Sequence, residues 1–137
     1  MTQEYKELLL KDLCARLPYG VKVNNEIQGD FVIYGVSENY IFARTTTSHA
    51  DFRVENIKPY LLPMSSMTDK DLVEFLQIKG MNLNSDELKT FRRGTTAIVS
   101  TLPSYSRHID WLNKNHFDYR NLIDKNLAID CTNLNIY

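Results

Sequence analysis

Residue types able to move protons or attack carbonyl groups are present in this chain, but few share a useful spacing. Ser106, His108 and Asp110 alternate and invite comparison with a Ser–His–Asp triad. At i, i+2 and i+4 on a helix, neighbouring members point to different sides, and triads are assembled from separate elements. His108 and His116 lie eight residues apart. On one continuous helix they would project within about 80° of each other but two turns apart, whereas helical metal pairs use i, i+3 or i, i+4. His116 falls at an expected helix end, where an imidazolium interacts favourably with the last carbonyls. His49 sits in a polar turn between Thr47 and Asp51, where a lone imidazole is ordinarily just solvated. Ser65 and Ser66 lie outside any G-x-S-x-G elbow. Cys14, within Leu13-Cys14-Ala15, reads as a small buried thiol on the apolar side of a helix, with Arg16 close in sequence only. The five glycines are spread singly and form no phosphate-cradling G-x-G. The carboxylates pair in no recognisable frame. The expectation is a protein without enzymatic activity, with no catalytic residue, metal ligand or cofactor.

The aromatic residues carry more. Tyr34, Tyr40, Phe42, Phe52 and Tyr60 are interleaved with Arg44, Arg53 and Lys58. Small β structures use such surfaces to grip extended peptides or to stack bases, although some of these rings must also fill the core of so small a sheet. Two functions of different class follow. The first is a protein-interaction module, with the loop around His49 and an edge strand containing Tyr60 as its contacts. The second is nucleic-acid binding, with Tyr34 and Tyr40 as a stacking platform beside Arg92 and Arg93. From Glu87 to Lys125 there are seven Lys or Arg against four Asp or Glu, while the whole chain carries a formal net charge of -1. That modest local excess suits a solvated face better than a nucleic-acid footprint, so the protein partner is the first reading. The oligomeric state is left open.

These residues must be held by the elements around them, and the chain changes character midway. Residues 2–17 read as a helix, with Tyr5, Leu8, Leu9, Leu13 and Leu17 on one stripe widened by Leu10 and Cys14. Thr2 caps its start, and Pro18 with Gly20 stops it. From Val21 to Leu62 the pattern is of short strands: Val21–Val23, Phe31–Val36, Tyr40–Thr46, Phe52–Val54 and Lys58–Leu61. Ser37-Glu38-Asn39 has the length of a hairpin loop with Asn39 as a left-handed residue. Glu55–Ile57 reads as one helical turn, and Pro59 marks its strand as an edge. A small bent antiparallel sheet results, and an SH3-like barrel is one way to close it. After Pro63–Met67 the periodicity becomes helical. Thr68 and Asp71 form a capping box, a short helix starts near Asn84, Thr95–Thr101 suits a strand, and a Trp111 helix follows. Asp118 caps a further helix through Lys125, Asn126 ends it, and Leu127–Ile129 suits a last strand.

The fold class is therefore α+β in a single domain of residues 1–137, with residues 1–62 as helix plus sheet and 63–137 as a mainly helical half packed on it. The expected core comprises Leu9, Leu13, Val23, Phe31, Ile33, Phe42, Phe75, Trp111, Leu112, Leu122 and Ile123. With 43% hydrophobic and 24% charged residues, the composition is that of an ordinary globular protein large enough to bury a core. The start of the chain lacks the apolar run of a signal peptide and no window approaches a membrane span. With just two cysteines, Cys14 and Cys131, the expectation is a reduced, cytoplasmic protein.

Three segments, Lys11–Lys22, Ile57–Thr68 and Ile109–Lys125, resemble small proteins encoded by phages and prophages of gut Bacteroides and their relatives. They cover about a third of the chain. The resemblance implies a bacterial or phage-encoded cytoplasmic protein and brings no activity, cofactor or site residue with it.

Overall fold

The computed structural model describes residues 1–77 and 106–137. Arg92 and Arg93, the short helix expected near Asn84 and the strand expected over Thr95–Thr101 lie outside the described residues.

Helix α1 (Gln3–Arg16) starts where Thr2 accepts a hydrogen bond from the Tyr5 amide at 3.2 Å. A 3-10 turn over Leu17–Tyr19 follows, and Gly20 leaves it with φ of 71°, a conformation that glycine adopts without a Cβ penalty. Most of the expected leucine stripe packs inward, with Tyr5, Leu8, Leu10 and Leu17 partly buried against the core, but the fully buried face also holds two charged residues. That face is Leu9, Asp12, Leu13 and Arg16, one side of a helix at i, i+3, i+4 and i+7, while Cys14 is exposed.

Strands β1 (Lys22–Asn25), β2 (Gly29–Val36), β3 (Tyr40–Arg44) and β4 (His49–Arg53) form an antiparallel meander. A 3-10 turn over Val54–Asn56 leads into β5 (Lys58–Pro63), which returns to pair antiparallel with β1. The β2–β3 hairpin closes through Ser37, whose amide donates to Tyr40 O at 2.9 Å. Asn39 does not take the expected left-handed conformation; its side chain instead accepts a hydrogen bond from Lys6 of α1.

Among the described residues, the later elements are the helices α2 (Asp69–Gln77) and α3 (Ser106–Lys114) and the two-residue strands β6 (Phe117–Asp118) and β7 (Ile129–Asp130). The capping box of α2 is formed in both directions, Thr68 N to Asp71 and Asp71 N to Thr68, at 3.0 and 3.1 Å. Both β6 and β7 pair with β5 in parallel, so the sheet is mixed, in the order β4-β3-β2-β1-β5-β6 with β7 also on β5. It does not close into a barrel. Nor is β5 an edge: Pro59 lacks one donor, but Leu62 N donates to His116 O at 2.8 Å and Leu61 O accepts from Cys131 N at 3.0 Å. The helix expected from Tyr119 to Lys125 is a series of turns, because Asn121 takes positive φ (59°) within it, while Asn126 has a left-handed φ (58°), as suits the residue expected to end it. Asp118 still caps them, accepting from Leu122 N and Ile123 N at 2.9 Å each.

Among the described residues two apolar clusters result. The larger lies between α1 and the inner sheet face, around Leu9, Leu13, Val23, Phe31, Ile33, Ile41 and Phe52, and it also takes in Leu122 and Leu127. The smaller joins Met67, Leu72, Phe75, Leu112 and Phe117, with Trp111 half-buried and stacked on Phe117 at 5.6 Å between centroids. Ile123 is likewise half-buried at the margin of the first. Phe42 belongs to neither. A register shift between Ile33 and Gly35 sets it opposite Gly35, and Ile41 and Ala43 are the residues of β3 that point inward.

A buried ionic knot lies at the junction of α1 with the chain around β6. Asp12 and Arg16 have no solvent exposure. Asp12 accepts from Arg16 Nε and Arg120 Nη1, both at 2.8 Å, and Arg16 Nη2 donates to Phe117 O at 2.6 Å. Both guanidinium groups lie over the Tyr119 ring, at 5.4 and 4.6 Å from its centroid, and Tyr119 donates to the buried Asn113 at 2.9 Å. Removing one member of a buried pair strands the other charge at a cost of about 3–5 kcal/mol. Asp12→Ala is therefore expected to lower unfolding free energy by about that amount in urea titrations, and Arg120→Ala, whose side chain keeps 16% exposure, by clearly less. Equal, small losses below about 1 kcal/mol in both would contradict the knot's role.

Candidate functional site

Strand alternation divides β2, β3 and β4 into an inward set already buried against α1 and an outward set. The outward set is Val32 and Tyr34 on β2, Tyr40, Phe42 and Arg44 on β3, and His49, Asp51 and Arg53 on β4. Cross-strand register brings Tyr40 opposite Arg53, Phe42 opposite Asp51, and Arg44 opposite both Val32 and His49. Tyr34 and Tyr40 are each 44% exposed. The Arg44 guanidinium lies over the Tyr34 ring at 5.6 Å and the Arg53 guanidinium over the Tyr40 ring at 5.9 Å. Tyr34 also meets His49 edge-on at 5.6 Å and Phe42 at 6.5 Å. The rings of Tyr34, Tyr40, Phe42 and His49 thus share one open face with two arginines, pre-positioned by sheet pairing and by contact with one another.

That face runs into a groove of about 560 Å³ lined by Lys22, Asp30, Val32, Arg44, Thr45 and Ile136, among others. Its floor is the meander, and its far wall is the last stretch of chain, held there by Lys22 Nζ donating to Ile136 O at 2.6 Å. A smaller cleft of about 360 Å³ beside the β1–β2 turn is rich in amides. Asn25 there is committed to holding the turn, accepting from Ile27 N and Gln28 N and donating to Asn56 O.

The structure brings Tyr34, Tyr40 and His49 together and separates Tyr60 from them. Tyr60 is 7% exposed, its ring covered while its hydroxyl reaches the surface carboxylate of Asp30 at 2.7 Å. It offers no contact surface of the kind expected from an edge strand. Phe42, named both among the interleaved aromatics and in the expected core, belongs to the face and not to the core. The alternation Tyr40-Phe42-Arg44 was the signal that could have placed it.

Beside Tyr60 lies a second polar cluster. Antiparallel pairing of β1 with β5 joins Asn24 to Lys58 and Val23 to Pro59. Where the next rung would join Lys22 to Tyr60, the Tyr137 hydroxyl intervenes, accepting from Lys22 N and donating to Tyr60 O, both at 2.9 Å. The Tyr137 ring stacks face to face on His116 at 3.4 Å. Burial, and then the Asp30 carboxylate it bonds, push the Tyr60 phenol up to about 12. Burial also raises Tyr137. Burial, reinforced by Arg16 and Lys22, lowers His116 to about 4. All three are neutral at pH 7, which suits them to hold strands rather than to exchange protons near neutrality.

Of the alternating Ser106, His108 and Asp110, all on α3, His108 packs edge-on against Phe75 at 4.9 Å and Asp110 is exposed. Among the described residues no group of three His, Cys, Asp or Glu side chains could hold a metal ion, and no helix is long and apolar enough to cross a membrane. Cys14 and Cys131 are both free thiols. No family model matches the sequence, and no curated protein or solved structure is significantly similar to it.

The His116 environment sets a pH dependence. Below about pH 6.5 the unfolded chain binds a proton there that the folded chain refuses until about pH 4, so stability is full above that window and falls as pH drops through it. Between pH 7.5 and 4.5 this residue is expected to account for a loss on the order of 2 kcal/mol. His116→Asn, which tolerates the φ of 65°, should make the urea midpoint flatter over this range than in the wild type. An unchanged pH profile in that variant would contradict the assignment.

Proposed function

We propose that this protein is a non-enzymatic interaction module that grips a partner protein through the outer face of β2–β3–β4. The observation that carries the reading is the pairing of each exposed tyrosine with an arginine, Tyr34 with Arg44 and Tyr40 with Arg53, on a rigid sheet face. Tyrosine and arginine dominate protein-interface hot spots. Tyrosine supplies a large contact area at little conformational-entropy cost. Charge on and beside the face is balanced, with Lys22, Arg44 and Arg53 against Asp30, Asp51 and Glu55, which suits a partner of mixed charge better than a phosphate backbone. The resemblance of three segments to phage and prophage proteins of Bacteroides makes a bacterial or phage component, met in the cytoplasm, the partner that fits this reading.

Affinity capture from a bacterial lysate, with mass spectrometry, tests it. A protein enriched by the wild type is expected to fall at least tenfold with Tyr34→Ala/Arg44→Ala, a pair of exposed residues whose loss leaves both cores intact. Retention at the wild-type level would reject this face as the contact.

The same exposed rings favour a second reading, in which Tyr34 and Tyr40 stack bases and Arg92 with Arg93 contact phosphates. Fluorescence anisotropy with single-stranded and duplex oligonucleotides at low and moderate salt separates the two. Base stacking beside basic side chains gives binding that weakens steeply with salt and is lost in Arg92→Ala/Arg93→Ala. No binding at low salt removes this reading and leaves the protein partner.

A further inference from the structure

We infer that β4 pairs edge to edge with β4 of a second copy of this chain, with Asp51 of each copy opposite Arg53 of the other. The inference uses the backbone edge of β4 and does not rest on the partner-binding reading of the sheet face. Strand β4 ends the strand order on its side of the sheet. The bonds that close the β3–β4 pair, Thr45 N to Ser48 O at 2.9 Å and Val54 N to Asn39 O at 3.2 Å, fix the phase of the ladder. With the register Ala43 to Ala50 and Ile41 to Phe52, Ala50 and Phe52 exchange hydrogen bonds with β3. His49, Asp51 and Arg53 then turn their N–H and C=O groups away from the sheet. Their side chains are exposed as well. Among the described residues nothing pairs with this edge, and Asp51 has no hydrogen-bond or ionic partner.

An unpaired edge is a template for another strand, and its side chains decide which. A two-fold axis through Phe52 sets residue 51 opposite residue 53 of the second copy, and these are residues whose backbone groups are free to bond. By symmetry the register makes two Asp–Arg pairs on one face, an arrangement that stabilises cross-strand contact. A register centred on Asp51 would instead oppose two aspartates and set His49 against Arg53. The sequence His-Ala-Asp-Phe-Arg is thus charge-complementary to itself when antiparallel and offset by this one step. Arg53 is available for it, since its present ionic partner, Glu55, lies at 3.3 Å with both side chains well exposed. The second copy would extend each outer face into its neighbour's, doubling the exposed tyrosine–arginine surface.

An edge of five residues is a small interface, so association is weak and belongs at high protein concentration. Sedimentation velocity of the full chain from about 10 μM to 1 mM is the test. The wild type is expected to move from monomer to dimer across this range. Asp51→Arg alone and Arg53→Asp alone each oppose like charges and should weaken self-association at least tenfold. An equimolar mixture of the two single variants sets two arginines on one strand against two aspartates on the other. That mixture should recover dimer, seen as a heterodimer by native mass spectrometry. The double variant Asp51→Arg/Arg53→Asp should recover a homodimer, which also shows that the substituted strand folds. A wild type that stays monomeric to 1 mM, single variants that associate as the wild type does, or a folded mixture that fails to assemble would each overturn the inference. In the first case the edge is left to a strand from another protein.

Discussion

One buried carboxylate, that of Asp12, is the point to which the two ends of this chain are tied. It accepts hydrogen bonds from a guanidinium on its own helix and from another that arrives on Arg120. Arg16, so fixed, presents Nη2 to the carbonyl of Phe117, and Phe117 heads the short strand that pairs with Leu62. A charge taken fully out of water is tolerated when its partners are in place and is costly otherwise. The knot therefore contributes geometry more than energy: it lets α1 sit in one place and lets the chain around β6 follow from that. The larger apolar cluster holds Leu13, next to Asp12 in the helix, and the smaller holds Phe117, whose carbonyl Arg16 binds.

That arrangement has a cost for the other side of the sheet. The only helix on the meander, among the described residues, is used on the inner face, so the outward residues of β2, β3 and β4 remain in the open. Tyr34, Tyr40 and Phe42 are large rings for a solvated surface. They are made tolerable by Arg44, Arg53 and His49, whose planar groups cover part of the tyrosine rings while keeping contact with water. Such a face is stable without a partner and still has apolar area to give to one.

The sequence made local structure legible wherever a short-range rule acted alone. Thr2 and the Thr68–Asp71 box cap their helices, Gly20 turns the chain out of α1, and β2 and β3 fall where β-branched and aromatic residues cluster. Strand β4, by contrast, starts at His49, in the stretch expected to be a turn, because pairing with β3 decides it. Reading failed where a distant partner decided. Nothing near Asp12 and Arg16 announces that Arg120 and the Phe117 carbonyl will meet them, so the charged pair is missing from the expected stripe, while Cys14, placed on it, is exposed. Phe42 looked like core because hydrophobicity alone cannot register a shift between strands at Gly35. Pro59 suggested an edge because a missing donor is visible in sequence and the parallel strands that bond its neighbours are not. For the candidate site, Tyr34, Tyr40 and His49 were legible as residues; their assembly with Arg44, Arg53 and Phe42 required the register.

The distances along the chain at which these contacts close also govern when the protein can form. Arg16 waits 101 residues for its carbonyl acceptor, and the Lys22 amide waits 115 for the Tyr137 hydroxyl. Closing loops of this length is slow relative to forming a helix or hairpin. During synthesis the meander from β1 to β4 has its own local pairings and can assemble early. The first helix, though made before any strand, has no stable seat for its charged pair until residues 117–120 have left the ribosome.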